Sequence, residues 1–187
     1  DFTSLDQALA QIACGNVSGP VVLQLQPGNI QAHYQLPATN HTVRIQGAAG
    51  VVFDANPQAV NPAIFSIQAG GRWELQNLHM RRQQPGINAG PMIRLMQTDT
   101  FRLINCQLED LSADARTANL AVEVVASSGQ LLFSHNHISG FYGGLQLLQA
   151  DTALKLHFEH NRIEYYRNFA LNISGLHDAQ IHHNKFG

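Results

Sequence analysis

The chain has 187 residues, enough for one domain and short for two. A net charge of -2 with only 13% charged residues lacks the concentrated basic surface of a nucleic-acid binder. No apolar run approaches the roughly eighteen residues of a membrane span, and the opening Asp1-Phe-Thr-Ser4 has neither the basic nor the apolar region of a signal peptide, as expected if one has been removed.

From the N terminus, Leu5, Ala8, Leu9 and Ile12 share one face at helical spacing behind Thr3 or Ser4 as N-cap, which predicts a short helix within 3–13. Further on, five stretches lay over one another: Leu75-Gln-Asn-Leu-His-Met80, Leu103-Ile-Asn-Cys-Gln-Leu108, Phe133-Ser-His-Asn-His-Ile138, Phe158-Glu-His-Asn-Arg-Ile163 and Ile181-His-His-Asn-Lys-Phe186. Each has an apolar residue at both ends and an Asn at one of the two middle positions. Their first residues lie 23 to 30 positions apart, a period that marks stacked repeats.

Eight to eleven residues upstream of the anchors, the pairs Phe65-x-Ile67, Ile93-x-Leu95, Val122-x-Val124, Leu145-x-Leu147 and Leu171-x-Ile173 alternate with period two, as strands with one buried face do. The bends between are too short for a crossover helix, among them Gln68-Ala-Gly-Gly-Arg72, Gln97-Thr-Asp-Thr100 and Ser127-Ser-Gly-Gln130. If each repeat is one turn of a coil, equivalent strands stack in parallel at about 4.8 Å. The expectation is an all-β solenoid in a single domain over 1–187, with a cap helix at 3–13 and coils from 20 to 187. The helix would cover the open edge of the first coil. The last signature runs into Asn184-Lys-Phe-Gly187 in mid-coil, so further coils, a packing partner or a swapped end are expected to cover the final rung.

This pattern resembles the right-handed parallel β-helix proteins of the pectate-lyase-like superfamily, whose coils carry an Ile-x-Asn-Asn-x-Ile signature. Ser4-Leu-Asp-Gln-Ala-Leu-Ala-Gln-Ile12 is similar to that family's capping helix, and Val21-Val-Leu-Gln-Leu-Gln-Pro-Gly28 to its first strand and Pro-Gly turn. Val43-Arg-Ile-Gln-Gly47 followed by Val51-Val-Phe-Asp54 looks like its next coil. The resemblance covers nearly the whole chain. It implies a right-handed single-stranded parallel β-helix with a short N-terminal capping α-helix, a secreted, periplasmic or cell-surface location, and a polysaccharide partner.

The Asn positions have a physical reason: Asn tolerates the left-handed conformation of a sharp bend, and stacked carboxamides can hydrogen-bond from rung to rung. Cys106 falls at the repeat position of Leu78, Asn136, Asn161 and Asn184, which reads as a small packed residue in a bend, and a disulfide to the distant Cys14 is not expected. His135, His160 and His183 fall where Asn77 and Asn105 stand, so their rings should stack. Adjacent His182 and His183 are expected on opposite sides of a strand, and no set of three or four ligands converges as a metal site requires.

Outward positions of the strand before the bend form two columns. Glu74, Arg102, Leu132, His157 and Gln180 make one; Gln76, Ile104, Ser134, Glu159 and His182 make the other. His157, Glu159 and His182 should form a polar triangle able to move a proton, with Arg102 nearby, and these four are the catalytic candidates. A third column after the bend reads His79, Gln107, His137, Arg162 and Lys185, with Tyr165, Tyr166 and Arg167 at its lower end. Cations and rings in such a strip suit an extended anionic glycan. The insertion Glu109-Asp-Leu-Ser-Ala-Asp-Ala-Arg-Thr-Ala-Asn119 adds Asp110, Asp114 and Arg116. The binding candidates are therefore Asp110, Asp114, Arg116, His137, Arg162, Tyr165 and Lys185.

Three functions fit: a module recognising an extended, acidic or neutral polysaccharide, a polysaccharide lyase or related carbohydrate-active enzyme, and a structural spacer. No cofactor is expected for the first and third. The resemblance implies calcium and an Arg or Lys base for a lyase, and Arg102, Asp110, Asp114 and Arg116 stand available for those roles, without a tight cluster of three acidic calcium ligands. Closely spaced aspartates for a glycoside hydrolase are missing from the pattern.

Overall fold

The computed structural model describes residues 4–60, 63–68, 70–85, 90–112, 116, 118–149, 151 and 153–187. The chain begins with α1 (Leu5–Ala13), capped by Ser4, whose hydroxyl accepts from the Gln7 amide at 3.2 Å. Leu5, Ala8, Leu9 and Ile12 are all buried, as their spacing predicts, and pack against the core cluster that includes Leu23 and Tyr34.

Successive coils then follow one pattern. The first holds β1 (Val21–Leu25), β2 (Gly28–Gln31) and β3 (Tyr34–Leu36), and the second β4 (Thr42–Gly47), β5 (Val51–Asp54) and β6 (Phe65–Ile67). Next come β7 (Arg72–Gln76), β8 (His79–Arg82) and β9 (Ile93–Met96), then β10 (Thr100–Ile104), β11 (Gln107–Asp110) and β12 (Leu120–Val125). Then follow β13 (Gln130–Ser134), β14 (His137–Ser139) and β15 (Gly143–Leu148), and β16 (Lys155–Glu159), β17 (Arg162–Glu164) and β18 (Phe169–Ile173). β19 (Asp178–His182) and β20 (Lys185–Phe186) end the described chain.

Every third strand pairs in parallel, so the described residues form sheets of seven, seven and six strands: sheet A from β1 to β19, sheet B from β2 to β20 and sheet C from β3 to β18. The protein is a parallel β-solenoid with one short N-terminal helix. Register carries the repeat directly into space. Leu75, Leu103, Phe133, Phe158 and Ile181 are successive partners in sheet A, and the first four are fully buried. Each such side chain contributes about 2 kcal/mol by leaving water. On the last described coil, Ile181 and Phe186 are each 43% exposed.

The bend from sheet A to sheet B takes two residues with separate tasks. The first is left-handed in five coils: Asn77 (φ 56), Asn105 (φ 51), His135 (φ 59), His160 (φ 54) and His183 (φ 55). The second points inward and bonds along the axis: Asn161 Oδ1 accepts from Asn136 N at 3.0 Å and Nδ2 at 2.9 Å, and Asn184 Oδ1 does the same for Asn161 at 2.8 and 3.1 Å. Their Nδ2 groups also donate to Leu103 O, Phe133 O and Phe158 O. The buried ladder is thus confined to the second position, while Asn77 and Asn105 bond to each other further out at 2.8 Å. Cys106 occupies the ladder position in its coil, and burial pushes its thiol up to about 12.

Candidate functional site

Sheet B presents the outward column predicted after the bend. Gln107 lies between His79 and His137, His137 pairs with Arg162, and Arg162 with Lys185. A second outward column two residues on holds Arg81, Glu109, Ser139 and Glu164. The two columns interlock by charge. His79 Nε2 lies 2.9 Å from Glu109 Oε2, while Arg162 Nε, His137 Nε2 and Lys185 Nζ lie 2.6, 3.4 and 3.8 Å from the Glu164 carboxylate. The Arg162 hydrogen bond holds the Glu164 carboxyl below the usual carboxylate range.

The side chains of Arg162 and Lys185 remain 52% and 67% exposed, and that of His137 is 40% exposed. Immediately after Glu164 comes Tyr165, 78% exposed and left-handed at φ 55. The preceding coil uses Gly140 (φ 83) at the corresponding point, the residue after Ser139, which is the register partner of Glu164. A tyrosine in this conformation costs on the order of 1 kcal/mol, and its exposed ring returns little by burial. So His137, Arg162, Tyr165 and Lys185, spread over 49 positions of sequence, form one patch. Glu164, which organises it, is legible only as an Arg-x-Glu pair on one strand face.

Sheet A separates its candidates. His182 Nε2 stands 3.6 Å from Glu159 Oε2, and Ser134 Oγ lies 3.4 Å from Glu159 Oε1 and 2.7 Å from His135 Nδ1. His157 is two residues back on the strand, with Leu132 and Gln180 as its register partners. Arg102 is the register partner of Leu132 on the preceding coil, so Arg102 and His157 are two strands apart, and Arg102 Nη1 is 4.0 Å from Glu74 Oε2. Four catalytic candidates therefore fall on one face without meeting at one point.

The histidine bend column stacks as its repeat position predicts. Ring centroids of His135 and His160 are 4.9 Å apart, and those of His160 and His183 5.0 Å apart. His182 and His183 depart from the expected opposition: their rings meet edge to face at 5.1 Å, because His183 is the left-handed bend residue and no longer follows strand alternation. Among the described residues no three His, Cys, Asp or Glu side chains are grouped to hold a metal ion.

The insertion starts later than its sequence suggests. Glu109 and Asp110 belong to β11, and alternation turns Asp110 inward beside Leu108. There Asp110 meets its register partner Arg82 at 3.1 Å, both side chains nearly inaccessible, and it also accepts from the Ser112 amide and hydroxyl. Asp110 is thus a strand residue rather than a loop residue. Asp114 lies outside the described residues. Arg116 is half-buried, and its carbonyl accepts from the Asn119 amide. No helix among the described residues is long and apolar enough to cross a membrane. No protein-family model matches this chain, and neither a curated protein nor a solved structure matches it.

Proposed function

We propose that this β-solenoid is a secreted, periplasmic or cell-surface recognition module of the pectate-lyase-like type, which holds an extended polysaccharide, acidic glycans included, along the outer face of sheet B. The observation that carries the reading is Tyr165, exposed at φ 55 beside Arg162, Lys185 and His137. Backbone strain kept for an exposed aromatic ring points to a role in contact with something outside the chain. An aromatic ring offers an apolar face to a pyranose, while guanidinium and ammonium groups pair with uronate carboxylates. Strands stacked at about 4.8 Å repeat such groups along the axis, which suits a linear polymer.

Affinity electrophoresis in gels containing pectate, alginate or a neutral glucan tests this. Retardation of the wild-type chain is expected in at least one gel, weakened about tenfold by Tyr165→Ala and several-fold by Arg162→Ala or Lys185→Ala. Equal migration of wild type and Tyr165→Ala in every gel would refute the assignment.

A further inference from the structure

We propose a second binding site, on the outer face of sheet A, where Arg72 and Arg102 together hold an oxyanion group such as a carboxylate, sulfate or phosphate. The site begins with Glu74. Its side chain points outward yet is only 4% exposed, because Arg44 of the preceding coil and Arg102 of the following coil close over it. Arg44 takes up the carboxylate, with Nε 2.8 Å from Oε1 and Nη2 3.4 Å from Oε2. Arg102 approaches only to 4.0 Å, makes no side-chain hydrogen bond among the described residues, and keeps 48% of its side chain exposed.

Arg72 stands next to this row. It is exposed and has no ion pair or hydrogen bond from its side chain among the described residues. Its register partners are Thr42 and Thr100, and Gln130 follows Thr100. Thr42, Arg72, Glu74, Thr100, Arg102 and Gln130 line one hollow of about 340 Å³, large enough for one sugar ring or a small anion. Asp99, beside Thr100, is turned toward the Gly71 amide at 3.5 Å. With Glu74 neutralised by Arg44, the hollow retains two guanidiniums, a hydroxyl on either side of Arg72, and a carboxamide. Guanidinium forks match the two oxygens of a carboxylate or of a sulfate or phosphate face, and two of them with uncommitted donors form a receptor for such a group.

This site does not depend on the sheet B strip, and its test avoids polysaccharide. Sodium sulfate, sodium phosphate and sodium galacturonate are titrated separately into the full chain, with sodium chloride at matched ionic strength as the blank, and followed by heteronuclear NMR of the backbone and arginine Nε–H signals. Saturable shifts are expected at Arg72, Thr100 and Arg102 with at least one of the three salts. Arg72→Gln and Arg102→Gln should each weaken the apparent Kd at least fivefold, and Glu74→Gln, which removes the one carboxylate among the described lining residues, should tighten it. Galacturonate binding with sulfate silent assigns the site to a sugar carboxylate. Sulfate or phosphate binding with galacturonate silent assigns it to a tetrahedral anion. Arg72 and Arg102 are exposed enough for their Gln variants to fold, which an unchanged thermal midpoint verifies. Shifts no larger than in chloride for all three salts, or an unchanged Kd in both Gln variants, overturn the proposal.

Discussion

Asn136 Nδ2 donates to Asn161 Oδ1 at 2.9 Å between adjacent coils, the two residues standing 25 positions apart in sequence with both side chains buried. Asn161 also serves Asn136 N, Phe133 O and Asn184, so a single carboxamide fills several backbone and side-chain needs inside the solenoid. Replacing it by Ala leaves a buried amide and carbonyl without partners. Asn161→Ala should destabilise by about 3 kcal/mol, whereas exposed Gln130→Ala should stay within about 0.5 kcal/mol. Urea denaturation followed by circular dichroism measures the difference.

His160 occupies the left-handed bend position, where Asn77 and Asn105 stand in earlier coils. The backbone rather than the ring sets the requirement. His160→Asn should therefore stay within about 0.5 kcal/mol of wild type, while His160→Val should lose about 1–2 kcal/mol, because a β-branched side chain resists positive φ. The same denaturation experiment reads both, and equal losses would show that ring stacking dominates.

Arg82 and Asp110, the last residues of β8 and β11, form a buried ion pair, and Arg82 Nη2 also donates to Gly90 O at 2.9 Å. Arg82→Met strands a carboxylate in the interior and should cost about 3–5 kcal/mol. The double variant Arg82→Met/Asp110→Leu should recover most of that, since neither charge is then left alone. A double-mutant cycle in urea decides it: additive losses would mean that the two side chains do not depend on each other.

Acid should weaken the solenoid through its paired carboxylates. Hydrogen bonds from Arg81 and Arg162 lower Asp54 and Glu164, respectively. For Glu109, burial pushes the carboxyl up, but His79 and Gln107 together outweigh it and the net shift is downward. With the folded value below the unfolded one, the unfolded chain binds more protons throughout the window between them. The contribution of these groups is fully present above the ordinary carboxylate range of about 4, and it is lost as pH falls through their depressed values. The urea midpoint should decline below that range, and Arg81→Gln and Arg162→Gln should each show a shallower acid decline than wild type. Superimposable pH curves for all three proteins would contradict the assignment.

How far the primary structure reached differs by level. The column of Leu75, Leu103, Phe133, Phe158 and Ile181 was legible because a solenoid converts a sequence period into direct stacking, one coil per repeat. The histidine stack and the strip from His79 to Lys185 were legible for the same reason. Pairings between different columns were less so. Glu164 gathers Arg162, His137 and Lys185, and Arg44 neutralises Glu74, through side-chain choices that no period encodes.

The stacked-coil architecture, helix cap, interior columns and bend positions follow from the order of residues, since apolar spacing of two, a bend, and a return after some two dozen positions favour stacked parallel strands. The three-dimensional fold decided which charges meet. It turned Asp110 inward to Arg82, left the Arg72 side chain without an ion pair or hydrogen bond among the described residues, and set Tyr165 on a left-handed corner. Those outcomes depend on distances of a few ångströms between coils, where desolvation and competing ion partners act, and one-dimensional order does not carry that information.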